Sequence, residues 1–369
     1  MATPMAINGS LLEGGGQILR NSVALSALLG KPVSINDIRG GRPVPGLKNQ
    51  HRTGLELAAQ IASAELKGAI NGSTEIEFTP GSLKIPGHFV ADSVTAGSTT
   101  LLLQIALPLL LFSSQKSLSS LTLKGGTNAT QAPQLDYTEN VFLPFIRKHF
   151  GIMAELKLKR RGYFPKGGGE VLVNVTPSAQ SLQNFSLLER GEVCRIKGIA
   201  HFAGLPNHLG SSMVEGAKKY LSEQLVGVSN GTISVEIESR RERNDNTVGA
   251  GSGVVLWAEL GGGGIIGGSA VGSKKIEASV LGATAAKDLI KGLDAGGCVD
   301  EWLEDQIIIF MALAKGESAV RCGKGELQLH TRTAIWVAEY LTEGHAKFAT
   351  EQLSSGHTVI RCKGIGYFG

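Results

Sequence analysis

One order of elements is used three times along the 369 residues of this chain. That recurrence limits the available folds more than any single motif does. Residues 12–29 start in a Gly-rich stretch and continue with apolar residues at helical spacing. Residues 33–38 alternate as a strand does and end in Gly40-Gly41, a second helical stretch covers 47–64, and short strands are expected near Ala69 and over 75–78. The same order returns from Thr99, with a helix to Phe112, a strand over 121–124 ending in Gly125-Gly126, a helix over 134–150, and strands over 153–158 and 170–175. It returns once more as helix 299–314, strand 318–321, Gly323-Lys-Gly325, helix 330–341, and strands near Phe348 and over 358–362. A fixed succession of helix, strand, glycine corner, helix and two strands is the mark of an internally repeated unit. Each unit offers one amphipathic sheet face and two helices to cover it, too little to close a core alone. The expected fold class is therefore α+β, with three units around a pseudo-threefold axis that brings equivalent glycine corners together.

Residues 177–274 break the pattern. They open in a polar stretch over 178–184 and close in Gly261-Gly-Gly-Gly264 and Gly267-Gly268, compositions typical of surface linkers. A small α/β domain inserted between the second and third units is expected, dividing the chain into 1–176, 177–274 and 275–369. The length agrees, because a single core typically serves about 100–150 residues. With 42% hydrophobic and 18% charged residues, neither a disordered nor a fibrous chain fits.

A net charge of +4 permits a polyanionic partner without the strong basicity of a protein that coats nucleic acid. The most apolar run, residues 101–112, is too short for a bilayer and contains Gln104 and Pro108, so it reads as a buried helix and no membrane partner is expected. The four cysteines form no Cys-x-x-Cys pair, and no basic-then-apolar leader is visible, so an intracellular protein without a metal cluster is expected. Zinc-protease, nucleophile-elbow, dinucleotide-loop and Lys-x-Asp-Gly patterns are all missing. Residues 267–274 resemble a phosphate loop but end in Ser-Lys instead of Lys-Ser/Thr.

The most specific string is Arg161-Gly-Tyr-Phe-Pro-Lys-Gly-Gly-Gly-Glu-Val171. Its bare backbone N–H groups and flanking cations suit a phosphate, and they equally suit a hairpin corner leading into a strand. His330 sits just past a glycine corner at a helix start. A neutral imidazole nitrogen there can act as a nucleophile, and the helix N-terminus favours phosphate oxygens. A polar helix-start residue with no chemistry is the plainer alternative.

Together with Glu13-Gly-Gly-Gly-Gln-Ile-Leu-Arg20, Ile38-Arg-Gly-Gly-Arg42, Gly46-Leu-Lys-Asn-Gln-His51 and Leu329-His-Thr-Arg-Thr-Ala334, that string resembles the signatures of the RNA 3′-terminal phosphate cyclase family. The resemblance covers essentially the whole chain and implies three βαβαββ-type units plus one inserted domain before the third. It implies an ATP-dependent enzyme that turns an RNA 3′-phosphate into a 2′,3′-cyclic phosphate, with His330 carrying AMP covalently. Pro133 and Trp302 would wall the adenine, with Gln104, Asp305 and Gln306 nearby; the family usually has Tyr where this chain has Trp302. Glu13 would contact a divalent cation, magnesium or manganese. Arg20, Arg39, Arg42, Gln50 and His51 would hold the RNA phosphate, and Lys157, Lys159, Arg160, Arg161 and Lys166 would guide its backbone unless they are only a solvated strand face. The compartment implied is the nucleus in a eukaryote and otherwise the cytoplasm.

Three rival readings are a non-catalytic cyclase-like ribosome-biogenesis protein, an enolpyruvyl-type transferase and a generic RNA-binding module. The first would lose the nucleophile and nucleotide-site residues, whereas His330, Gln104 and Asp305 are present. The second would carry different substrate motifs. The third is weakened by an aromatic content of 5%, which offers few stacking platforms.

Overall fold

In the computed structural model, which describes residues 3–113, 115–225 and 233–369, the chain builds four sheets with helices packed on them. It begins with β1 (Met5–Asn8), α1 (Gly16–Leu29), β2 (Val33–Asn36), α2 (Asn49–Ile61), β3 (Glu65–Lys67) and β4 (Ile76–Thr79). There follow β5 (His88–Asp92), α3 (Thr99–Ala106), β6 (Ser119–Gly125), α4 (Leu135–Tyr137), α5 (Leu143–Phe150), β7 (Met153–Gly162) and β8 (Gly169–Thr176). The short β9 (Ser186–Leu187) precedes β10 (Val193–Ala203), α6 (His208–Gln224), β11 (Ser234–Arg241), β12 (Thr247–Val248), β13 (Gly251–Leu260), β14 (Ile265–Val271) and α7 (Ala278–Ala295). The chain finishes with α8 (Glu301–Leu313), β15 (Lys315–Lys324), α9 (Leu329–Leu341), β16 (Lys347–Gln352) and β17 (His357–Ile365). The protein is thus mixed α+β.

Three sheets share one pairing order: β1-β2-β4-β3, β5-β6-β8-β7 and β9-β15-β17-β16. In each, the first pair is parallel and the next two are antiparallel. β12 extends the second of these sheets along β7. The fourth sheet runs β11-β10-β13-β14, with β10 and β11 parallel across the crossover helix α6.

The opening strands β1, β5 and β9 were not legible in the repeat pattern, which starts each unit at its helix. Each is short and lies on a sheet edge, so few of its residues are buried. Only Ile7 is buried in β1, and only Phe89 and Ala91 in β5. The strand expected near Ala69 is β3, a few residues earlier. The apolar run 101–112 is not one α-helix: α3 ends at Ala106 and a 3₁₀ turn, Leu107–Leu110, carries Pro108 at its start. Proline has no N–H to continue an α-helical ladder.

Packing crosses both expected domain limits, 177 and 274. Lys315 N–H donates to Leu182 O at 3.0 Å and Ala319 N–H to Phe185 O at 2.8 Å, so the stretch leading into β9 belongs with β15. Beyond residue 274, α7 buries Leu281, Ala285, Leu289 and Leu293 in one apolar cluster with β10, β13 and α6. β13 separates two cores by its alternation. Val254, Leu256 and Ala258 enter that cluster, while Val255 and Trp257 face the larger core shared by the other three sheets. A strand buried on both faces reads as an unbroken apolar run.

The corner between β7 and β8 is fixed by a buried polar network. Arg161, 1% exposed, makes a two-pronged contact with Asp136 through Nη1 to Oδ2 at 2.7 Å and Nη2 to Oδ1 at 3.0 Å. It also donates to Asn128 Oδ1 at 3.1 Å and to Glu242 Oε1, which follows β11. Burial alone raises the Asp136 carboxyl, but Arg161 outweighs it and holds the group well below the usual carboxylate range. His201, pushed down to about 3 by burial and then by Arg161, stays neutral between Tyr163 and Asn128. Arg161 is therefore no part of a solvated basic face, although Lys157, Lys159, Arg160 and Lys166 are exposed.

Replacing Arg161 by Met strands a buried carboxylate and is expected to cost about 3–5 kcal/mol in urea unfolding at pH 7. Lys159→Met on the same strand should change stability by no more than about 0.5 kcal/mol.

Candidate active site

The loops after β2 and β6 meet the starts of α1, α8 and α9 around one cleft of ≈ 560 Å³. The start of α1 contributes Glu13, Gly15, Gly16, Gln17 and Arg20. The loop after β2 and the start of α2 add Arg39, Arg42, Lys48, Gln50 and His51. Leu101 and Gln104 come from α3, residues 129–133 from the loop after β6, Phe164 from the β7–β8 corner, Trp302 and Asp305 from α8, and His330 from α9. Of the residues expected at the nucleotide and phosphate site, Gln306 does not line this cleft, and neither do the backbone-guiding candidates Lys157, Lys159, Arg160, Arg161 and Lys166. Gln306 is buried, and its Nε2 donates to Trp302 O at 2.5 Å, one turn back along α8.

His330 lies in the first turn of α9 with its side chain exposed to the cleft. Two threonines of the same block hold that turn in place. Thr331 Oγ1 donates to Glu304 Oε1 on α8 at 2.7 Å, and Thr333 Oγ1 accepts from Glu13 N–H at 3.1 Å. These contacts fix the turn that carries His330 against the start of the first unit, Thr333 and Glu13 being 320 residues apart in sequence. The sequence signalled the block, but not that its threonines are the anchors. Burial pushes the His330 pKa below its ordinary 6.5; Glu13 opposes this, and Arg20 and Arg42 add to it. The imidazole is thus neutral at physiological pH, with a free lone pair.

The start of α1 has no side-chain cap, since Gly15 occupies that position. Its first N–H groups are open to the cleft, where a helix start favours phosphate. Gly16 lets the Arg20 and His51 side chains approach closely, because a Cβ there would come within 2.8 Å of Arg20 Nη1 and 3.0 Å of His51 Nε2 and displace them. His51 Nδ1 accepts the Lys48 N–H at 3.2 Å, and burial with Arg20 and Arg39 pushes the ring down to about 3, so it remains a neutral donor through Nε2. Arg20 donates to Gln17 Oε1 at 2.5 Å.

The five residues expected to clamp phosphate divide by their partners. Arg39 Nη1 is committed to Val44 O at 2.7 Å and Gly46 O at 2.8 Å, which shape its own loop. Gln50 Oε1 accepts from Ser98 N–H at 2.8 Å and ties α2 to the start of α3. Arg42 pairs with Glu13 Oε1 and donates to Glu13 O at 2.8 Å. Arg20 and His51 are left as donors facing the cleft, joined by the exposed Lys48, which sequence reasoning missed, while Arg42 reaches the cleft paired to Glu13. Glu13 Oε2 is buried without a hydrogen-bond partner.

Trp302, 39% exposed, and the buried Pro133 line the same cleft. Pro133 is fixed by Thr100 Oγ1 donating to its carbonyl at 2.9 Å. Trp302 follows Asp300, which accepts the Trp302 and Leu303 N–H groups, the Tyr137 hydroxyl at 2.7 Å and Gly267 N–H at 2.6 Å. Burial, opposed by Arg20, raises the Asp305 carboxyl to about 8.

A neutral imidazole facing guanidinium groups and an uncapped helix start forms a site for phosphate chemistry set in an α+β scaffold. A family model described as RNA 3′-terminal phosphate cyclase matches residues 11–348. An RNA 3′-terminal phosphate cyclase of Pyrobaculum aerophilum is 39% identical over 361 residues, covering 98% of each chain. The Drosophila melanogaster protein of the same name is 38% identical over 364 residues, covering 98% of this chain and 97% of its own. That of Thermococcus kodakarensis is 40% identical over 336 residues, covering 90% and 91%. The chain belongs to the RNA 3′-terminal phosphate cyclase family.

Asp305 gives the cleft a pH signature. Its pKa is near 3.8 unfolded and about 8 folded, so the folded state binds the extra proton between those values. Its contribution is full below about pH 4 and is lost as pH rises to about 8. The stability of wild type minus that of Asp305→Asn, from urea unfolding, should therefore fall across pH 4–8 and level off outside it.

Proposed function

We propose that this chain is an ATP-dependent RNA 3′-phosphate cyclase in which His330 carries AMP. The observation that supports this most is the convergence of neutral His330, Arg20, Arg42, His51 and the open start of α1 on one cleft walled by Trp302 and Pro133. In this reading the three sheets of matching order are repeated units about a pseudo-threefold axis. The segment from β10 through α7 is inserted between the first strand and first helix of the third unit. Equivalent corners then supply the phosphate donors, the adenine wall and the nucleophile.

A nitrogen of His330 attacks the α-phosphorus of ATP, and the bond to the bridging oxygen breaks as pyrophosphate leaves. The open N–H groups of α1, with Arg20 and Arg42, face the charge that develops. Trp302 and Pro133 hold the base between them, with Gln104 beside it. An oxygen of the RNA 3′-phosphate then displaces His330 from phosphorus, regenerating the neutral ring. Finally the ribose 2′-hydroxyl attacks the RNA phosphorus, expels AMP and closes the 2′,3′-cyclic phosphate. That last step is intramolecular, so alignment of the end by Arg20, Arg42 and His51 supplies much of its rate.

The residues present fit a divalent cation, magnesium or manganese, at Glu13, whose buried Oε2 lacks a partner. Among the described residues no group of three or more His, Cys, Asp or Glu side chains is placed to hold a metal by itself. One carboxylate completed by phosphate oxygens and water suits magnesium. When bound, the cation neutralises triphosphate charge. Among the described residues no helix is long and apolar enough to cross a membrane. The non-catalytic reading is disfavoured because His330, Gln104 and Asp305 all face the same cleft.

Incubation with α-labelled ATP and magnesium should label the protein through an acid-labile bond, and a 3′-phosphate oligonucleotide should chase the label off. His330→Ala should abolish labelling, and persistence of the adduct would overturn the assignment. Because the His330 pKa lies below 6.5, wild-type labelling should persist as pH falls through 6.5 and decline only below it. Trp302→Ala should raise the KM for ATP by roughly tenfold or more while Trp302→Phe restores it, as expected for loss and recovery of a stacking face.

A further inference from the structure

Phe164 is 66% exposed, yet it stands on one of the most tightly fixed corners of the chain. Arg161 and Tyr163 beside it are locked in the buried network. Gly167 N–H donates to Tyr163 O at 2.8 Å, and Gly167 and Gly168 both adopt left-handed φ angles. The strands around the corner leave no room to refold it, since a Cβ on Gly162 would lie 2.2 Å from Gly169 N. The backbone that carries Phe164 is held rigid while its ring joins neither core. It lines the mouth of the cleft beside Thr130, Gln131 and Pro133. Arg160 and Lys166, both exposed, are close to it in sequence, with Arg160 oriented by Nε donating to Gly168 O at 3.0 Å. A fixed, exposed aromatic face on a cleft lined with cations is an arrangement that receives a stacked base.

We propose that Phe164 is the stacking platform for the base of the RNA 3′-terminal nucleotide, with Arg160 and Lys166 alongside its 5′ phosphate. This rests on the cyclase reading and adds to it a contact on the RNA base, which the phosphate donors do not supply. In that reading the adenine of ATP already has two walls, Trp302 and Pro133, without Phe164.

The test compares wild type, Phe164→Ala and Phe164→Tyr by fluorescence anisotropy with a labelled 3′-phosphate oligoribonucleotide and with the same oligonucleotide abasic at its last position. Formation of the adenylylated protein from ATP without RNA is measured in parallel. Phe164→Ala should weaken binding of the intact end roughly tenfold to hundredfold and Phe164→Tyr should restore it. The abasic end should bind wild type about as weakly as it binds Phe164→Ala, while adenylylation stays within about twofold in all three proteins. An equal abasic penalty in wild type and Phe164→Ala overturns the proposal, as does slowed adenylylation at low ATP, which would assign Phe164 to adenine. Failure of wild type to adenylylate would sink the cyclase reading instead, and the anisotropy comparison would still decide whether Phe164 meets the base.

Discussion

Arg161 and Asp136 form an ion pair with almost no access to water, and much of the site hangs on it. The guanidinium joins β7 to α4, to Asn128 at the head of the 129–133 cleft wall, and to Glu242 from the fourth sheet. Isolating either charge would be costly, so the network holds only when all of these elements are docked together. Its neutral partners complete it, with Gln134 Nε2 reaching Val254 O and Ala270 O on the fourth sheet. Asp300 does similar work on the opposite side by binding Tyr137, Gly267 and the start of α8 at once. The two hubs fix the walls of the cleft from outside it.

Inside the cleft the balance is reversed. Arg20, Arg39, Arg42 and Lys48 gather near only two carboxylates, and Arg42 lowers the pKa of Arg39 after burial does. Backbone strain gathers nearby, with left-handed φ at Leu12, Asp37 and Arg39, each costing of order 1–3 kcal/mol for a side chain other than glycine. Crowded cations and strained loops are sustained by the docked scaffold.

Much of this was legible in the sequence. The glycine corners and the helices and later strands of the three repeated units followed from periodicity, whereas the two longest helices, α6 and α7, and the strands of the fourth sheet did not; eleven of the twelve residues singled out for the site line one cleft. The exceptions share a cause. Gln306 is adjacent to Asp305 in sequence, but one residue turns a helix by about 100°, and its amide folds back onto Trp302 O. Arg161 follows Lys159 and Arg160 in a basic run, yet the strand's irregularity near residue 160 and the turn beyond it send its side chain inward. Arg39 and Gln50 sit at the cleft but spend their polar atoms on loop carbonyls and on Ser98. Nothing in residue type distinguishes a clamp from a brace.

By itself the sequence determined the elements and the chemical inventory: helices where apolar spacing is 3.6, corners where glycine permits them, and a histidine, a carboxylate and arginines in recognisable blocks. These are local properties, set by backbone conformation and side-chain type. Only the tertiary structure decided that β9 pairs with β15 across the fourth sheet, that α7 packs beyond the expected limit, and that Glu13 meets Thr333. Such contacts depend on which surfaces bury each other across hundreds of residues, and no local window of sequence contains that information.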